Sequence, residues 1–199
     1  MYNSQILLDI VRQNFASVVW THKIQEKQAD IYSEKYRMLE TINIVVAALT
    51  SCGVISLVTD ANKESVLIKV ATCICSFITV AITAYFKSFD LKSLEKQHKD
   101  AANQFIGIRN ELRQIIADIH MSNRAISDIE SDYKEIMNRL NKLYATAPIT
   151  SDKARARAEQ TFKKEKNNFY DEDEIDRFLP PALKGRLENE TKTSGQLFD

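Results

Sequence analysis

Four hydroxyl side chains stand at a spacing that suits a membrane helix. Thr72, Ser76, Thr79 and Thr83 fall at i, i+4, i+7 and i+11 within "KVATCICSFITVAITAYF", so a helix places them on one side. Asn43 and Thr50, with Ala47 between them, form a similar side in "TINIVVAALTSCGVISLVT". Two kinds of chemistry use such a stripe. Small and hydroxyl residues let helices approach closely and hydrogen-bond across a seam. The same groups turned inward in an assembly of hairpins would line a narrow polar pore with no charged filter, which discriminates poorly among ions. Asp60, Glu64 and Lys69 would ring the outer mouth of that pore.

Catalytic chemistry finds little to work with. His22, His98 and His120 have no cysteine or carboxylate array at metal-ligand spacing, and no Ser or Cys nucleophile motif is present. The chain has four glycines, none close together, which excludes a glycine-rich phosphate loop. An enzyme has no support in the sequence, and no cofactor or metal is expected. Cys52, Cys73 and Cys75 lie within apolar segments and read as reduced thiols buried in lipid or in protein. The formal net charge is zero, so nucleic acid is not an expected partner.

The elements that would position the stripe are helices. No proline precedes Pro148, and only Gly53 and Gly107 interrupt that stretch. Thr41–Thr59 carries no charge in nineteen residues, and Val70–Phe86 none in seventeen; Lys69 can snorkel to the interface. A bilayer needs about 20 apolar residues, with a lower limit near 17. The short polar "DANKES" between the two runs predicts an antiparallel hairpin. Lys23, Lys27, Lys35 and Arg37 precede it and Lys87, Lys92, Lys96 and Lys99 follow it, whereas the turn region holds Lys63 and Lys69. The positive-inside rule then places both termini in the cytoplasm. The N-terminus has no basic n-region and no small-residue cleavage site of a signal peptide.

Beyond the spans the apolar positions step by threes and fours. From Leu91 to Leu143 they keep a 3.5-residue period, broken by His98 and Ser122. A matching series, from Leu8 through Phe15, His22 and Ala29 to Leu39, precedes the first span. Counting from the membrane ends puts Ala29 near His98, Phe15 near Leu112 and Val11 near Ile115. The expected seam includes Trp20, His22, His98, Phe105, Leu112 and Ile115, with Trp20 as an inter-helix anchor. At "HMSNRA" the row lapses. Ser122 or Asn123 could cap a new helix, and Ser127 with Glu130 has capping-box spacing. The unbroken heptad phase favours one continuous helix over a fold-back. Pro148 ends this region. A basic helix follows, with Ser151 or Asp152 as cap, then the acidic "DEDEID", the docking-type segment "IDRFLPPALKGRL" and a polar end.

The expected fold is therefore an all-α membrane protein: a transmembrane hairpin with a long cytoplasmic helical, coiled-coil stalk. Its segments are a stalk helix at 1–40 and the hairpin at 41–86 (spans 41–59 and 70–86, turn 60–69). A heptad helix or helix pair at 87–147 and a charged helix and tail at 148–199 complete it.

An amphipathic helix with "WTHKIQEKQADIY", two spans and a long helical region resembles the SLATT family over roughly residues 10 to 185. "VVWTHKIQEKQADIY" and "EIDRFLPPALKGRL" are the most distinctive stretches. The resemblance implies a bacterial two-transmembrane effector, homo-oligomeric in the inner membrane, that forms pores in anti-phage or other conflict systems. It also implies a separately encoded trigger: a nucleotide-signalling enzyme, a reverse transcriptase or a SLOG-type sensor. It brings no catalytic residues. The alternative expectation is a passive membrane-anchored coiled-coil scaffold that recruits a partner through its tail.

Overall fold

The computed structural model describes residues 4–58 and 66–164, together with Leu179. Asp60, Glu64, Lys63, the acidic run and most of the docking-type segment lie outside the described residues. Five helices make up the described chain: α1 (Ser4–Val58), α2 (Val66–Ser88), α3 (Leu91–Met121), α4 (Ile126–Thr146) and α5 (Asp152–Lys164). No strand occurs among the described residues. The chain divides into two compact units, residues 29–97 and residues 1–28 with 98–199.

The second of these units is a helical bundle. The N-terminal part of α1 carries Leu8, Val11, Phe15 and Val18 at a/d spacing, all buried. α3 meets it with buried Phe105, Ile108, Leu112, Ile115 and Ile119. The chain does not continue straight on. α3 ends at Met121, Ser122 adopts a left-handed φ of 50°, and α4 begins at Ile126. The two helices then run antiparallel: Phe105 packs against Tyr144 with tilted rings 5.3 Å apart, and Arg139 grips the Glu111 carboxylate with both terminal nitrogens. α4 also lies on α1, where Asn14 Nδ2 donates to the Tyr133 hydroxyl at 2.6 Å.

The expectation of one continuous helix is therefore overturned. A single left-handed residue reverses the chain, and the heptad phase survives on both sides because each helix needs its own apolar stripe. The expected caps differ too. Ala125 caps α4 with its backbone carbonyl, which accepts from Asp128 and Ile129. Ser122 instead closes α3, and Arg124 braces the turn by pairing with Asp118 at 3.0 Å and Asp132 at 2.7 Å.

Folding α4 back gives α1 and α3 a second buried side each. Leu7, Val19 and Ile24 on α1, and Ala102 and Ile116 on α3, are buried although they lie off the single row. α5 adds to this unit. Ala154, Ala158 and Phe162 recur at i, i+4 and i+8 and are buried, while Lys153, Arg155 and Lys163 face outward. Trp20 stacks on Phe162 at 5.3 Å, which makes it an anchor for α5. Ser151 caps α5 through the Ala154 N–H at 3.3 Å. Leu179, from the docking-type segment, is buried in the same core.

Two stability outcomes follow. Replacing Ser122 by glycine relieves a left-handed backbone, which costs about 1–2 kcal/mol for an L-residue, less the extra freedom of glycine when unfolded. Ser122→Gly should raise stability by about 0.5–1 kcal/mol. Phe105→Ala, at a fully buried site, should lower it by about 3–5 kcal/mol. Urea titration of the purified chain in detergent, followed by helical ellipticity, reads both.

Candidate functional site

The other unit, residues 29–97, holds the apolar runs. Its two helices pass the length and composition test for membrane spans, with windows of mean hydropathy 1.8 and 2.2. A core helix of a soluble protein passes that test too, but it is buried. Here 0% and 6% of the two windows are buried within the chain. Ile44, Val45, Leu49, Ile55, Leu67, Phe77 and Val80 all point outward. Apolar side chains exposed around both helices suit hydrocarbon as solvent.

What remains is a seam. Along α1 the less exposed positions are Tyr36, Leu39, Asn43, Val46, Thr50 and Gly53. Along α2 they include Ile68, Thr72, Cys75, Thr79, Ile82 and Phe86. Both rows step by threes and fours, the period of a left-handed pair. Gly53 and Thr72 pack directly on one another: a Cβ built on Gly53 would overlap the Thr72 side chain. At the other end Tyr36 packs on Phe86 at 5.2 Å. Lys35 Nζ lies 4.9 Å from the centre of the Tyr85 ring and Lys92 Nζ 4.5 Å from that of Tyr36. Sequence reasoning missed Gly53 and this aromatic and cationic collar. Their signal was a glycine inside a span, and lysines paired with tyrosines at both span ends.

The hydroxyl stripe divides on this seam. Thr72, Ser76 and Thr79 are half-buried and Thr83 is exposed. The stripe steps by four, three and four, whereas the seam passes through Cys75 and Ile82, so Ser76 and Thr83 fall on its flank. Asn43 and Thr50 both lie on the seam, and Lys69 is exposed. Thr50, Thr72, Thr79 and Thr83 each donate to the carbonyl four residues earlier, at 2.8–3.1 Å. Each keeps its proton within its own helix and leaves oxygen lone pairs to face outward.

The bundle has a polar layer of its own. His98 is buried, with Nδ1 2.6 Å from Gln25 Oε1, and Gln25 Nε2 donates to the Pro148 carbonyl at 3.0 Å. With the amide fixed that way round, His98 must carry its proton on Nδ1. One turn on, Gln28 Oε1 accepts from both the backbone N–H and the hydroxyl of Ser151, at 2.8 and 2.7 Å. The membrane-end count placed Ala29 near His98; the bonded partner is Gln25, which lies a turn nearer the N-terminus. Phe105, Leu112 and Ile115 of the expected seam are buried, and His22 is half-buried. Burial pushes both His98 and His22 below the usual histidine range; Glu26 partly offsets this for His22, and Arg109 and Lys23 add to it. Among the described residues no cluster of metal-ligating side chains occurs.

A folded-state histidine pKa below its unfolded value contributes stability above about 6.5 that is lost as pH falls toward the folded value. The bundle should therefore melt at lower temperature at pH 5 than at pH 7, and His98→Gln should flatten that dependence. In the hairpin, Gly53→Ala should lower resistance to sodium dodecyl sulfate by about 1–3 kcal/mol, with Thr72→Ala restoring part of the loss in the double variant.

No curated protein and no solved structure matches the chain. A model of the SMODS and SLOG-associating 2TM effector domain family 4 matches residues 7–174, which takes in α2 to α5 and all of α1 but its first three residues. The exposed apolar pair of helices is what a two-transmembrane domain requires, and the chain belongs to that family of two-transmembrane effectors, SLATT_4.

Proposed function

We propose that this chain is the membrane effector of a bacterial anti-phage or other conflict system. It oligomerises in the inner membrane with both termini cytoplasmic, and forms a pore when a separately encoded nucleotide-signalling, reverse transcriptase or SLOG-type partner triggers it. One observation carries the reading. The hairpin is apolar on its outside, and its threonine hydroxyls already bond to their own helices. Such a row is tolerated in lipid and can be wetted without breaking a protein hydrogen bond.

The trigger acts on the bundle. α1 and α3 each contribute residues to both units, so a change in bundle packing reaches the spans through those helices. A rotation or splaying of the helices would move the Thr72–Ser76–Thr79–Thr83 side toward the lumen. Ser76 and Thr83, on the flank of the seam, need the smallest movement. Asp60, Glu64 and Lys69 are the proposed outer mouth.

A second reading has its own support. The close approach of Gly53 to Thr72 is what a packed, passive membrane anchor would also need. Leakage separates the two. Full-length protein in liposomes, with its trigger or at high density, should release ions and small dyes. Ser76→Leu/Thr83→Leu should cut that release at least tenfold and leave insertion intact. Release unaffected by the double substitution would remove the stripe from the pore wall. No release under any condition would favour the anchor.

A further inference from the structure

α1 is one helix from Ser4 to Val58, but its antiparallel partner is broken: α2 ends at Ser88 and α3 begins at Leu91. Specific hydrogen bonds make the break. The Leu91 N–H donates to the Phe89 carbonyl at 2.8 Å rather than to a carbonyl a turn back. The Asp90 carboxylate accepts the Ser93 N–H at 3.0 Å and so caps α3. The helical pattern resumes with the Leu94 N–H on the Asp90 carbonyl at 3.0 Å. Ser88, Phe89 and Asp90 are neither proline nor glycine, so nothing in them forbids a continuous helix. All three are exposed, so no core packing of their own side chains holds the break.

The break changes the phase of the helix. α2 packs on α1 through Thr72, Cys75, Thr79, Ile82 and Phe86, a row in steps of three and four. The row of α3 opens with buried Leu91 and runs through half-buried Leu94 to His98, which bonds Gln25 of α1. Between Phe86 and Leu91 the step is five. In one unbroken helix a step of five points its two residues about 140° apart. Both rows can face α1 only because the helix is interrupted between them.

We propose that the Ser88–Asp90 break is the switch of the hairpin, closed in this structure and thrown when α2 and α3 join into one helix. With Leu91 and His98 held on α1, joining turns α2 about its own axis by about 140°. Ala84, Val80 and Phe77, which lie seven, eleven and fourteen residues before Leu91, then face α1. Thr72 and Thr79 leave the seam and become free to be wetted. Ala84, Val80 and Phe77 are exposed and apolar, so the second packing has a surface ready for it. Joining gives the Leu91 and Ser93 amides helical bonds and gives up the contact of Gly53 with Thr72. Gain and loss of this kind make an element with two discrete arrangements. The inference rests on the pore reading above and names the moving part that reading leaves open.

The test changes one residue of the full-length chain in liposomes. Asp90→Ala removes the cap and favours the joined helix, Asp90→Pro lacks the N–H that a joined helix needs, and Asp90→Asn keeps a capping side chain. Backbone hydrogen exchange at residues 91–93 reads the joining, and dye release at low and high protein density reads the pore. In Asp90→Ala, exchange should slow about tenfold and release at low density should rise about tenfold. Asp90→Pro should exchange like the parent and release about tenfold less dye at high density. Asp90→Asn should stay within about twofold of the parent in both readouts. Alanine and proline lose the same cap, so opposite effects on release exclude a general loss of stability. Fast exchange in Asp90→Ala would overturn the switch, as would release that moves the same way, or not at all, in Asp90→Ala and Asp90→Pro. Slowed exchange in Asp90→Ala, with no dye release from any chain including the parent, would uphold the switch and reject the pore.

Discussion

The bundle depends on one backbone event, the reversal of the chain at Ser122. A left-handed φ there points the chain back, and α4 returns along α3 and α1. Without that return, the second apolar sides of α1 and α3 would stay open to water, at roughly 25 cal/mol for each Å² left exposed. With it, three helices share one core from Leu7 to Leu143, and α5 closes onto it through Phe162. The contacts so formed join residues far apart in sequence, such as Asn14 and Tyr133. The cost of bringing them together is met by burial rather than by local hydrogen bonds.

Within that core the glutamines of α1 do a different job. Gln25 and Gln28 are almost fully buried, and each has specific partners at Pro148 or Ser151. A buried amide is costly when unmet, so sliding α1 by one residue past the α4–α5 connection would break both sets of bonds. Hydrophobic contact alone is less exacting about register. The polar layer therefore fixes where the connection to α5 sits, and the Trp20–Phe162 stack fixes where α5 lies.

The hairpin answers to another solvent. Hydrocarbon offers no hydrogen bonds, so the hydroxyl protons of Thr50, Thr72, Thr79 and Thr83 return to the carbonyl a turn earlier and the outer surface is left apolar. Association of such helices draws on close packing and the few polar groups that remain. Gly53 against Thr72 supplies the first within the hairpin, and the buried Asn43 amide oxygen accepts no bond from any described residue.

Hydrophobic period and the absence of proline are local properties, so the helices, the two apolar spans and the apolar stripes could be read from the residues alone. Leu112, Phe105 and His98 were legible as seam residues for that reason. The all-α class and the family resemblance were legible too. The fold-back of the heptad region emerged from packing, since an unbroken phase fits a straight rod and a hairpin equally and Ser122 is neither glycine nor proline. Packing also decided that the Gln25 carboxamide bonds His98, and that the seam runs through Cys75 and Ile82. A stripe read from one helix fixes which residues share a side. Which side becomes an interface is settled by the second helix, whose crossing and closest approach depend on residues far away in the chain.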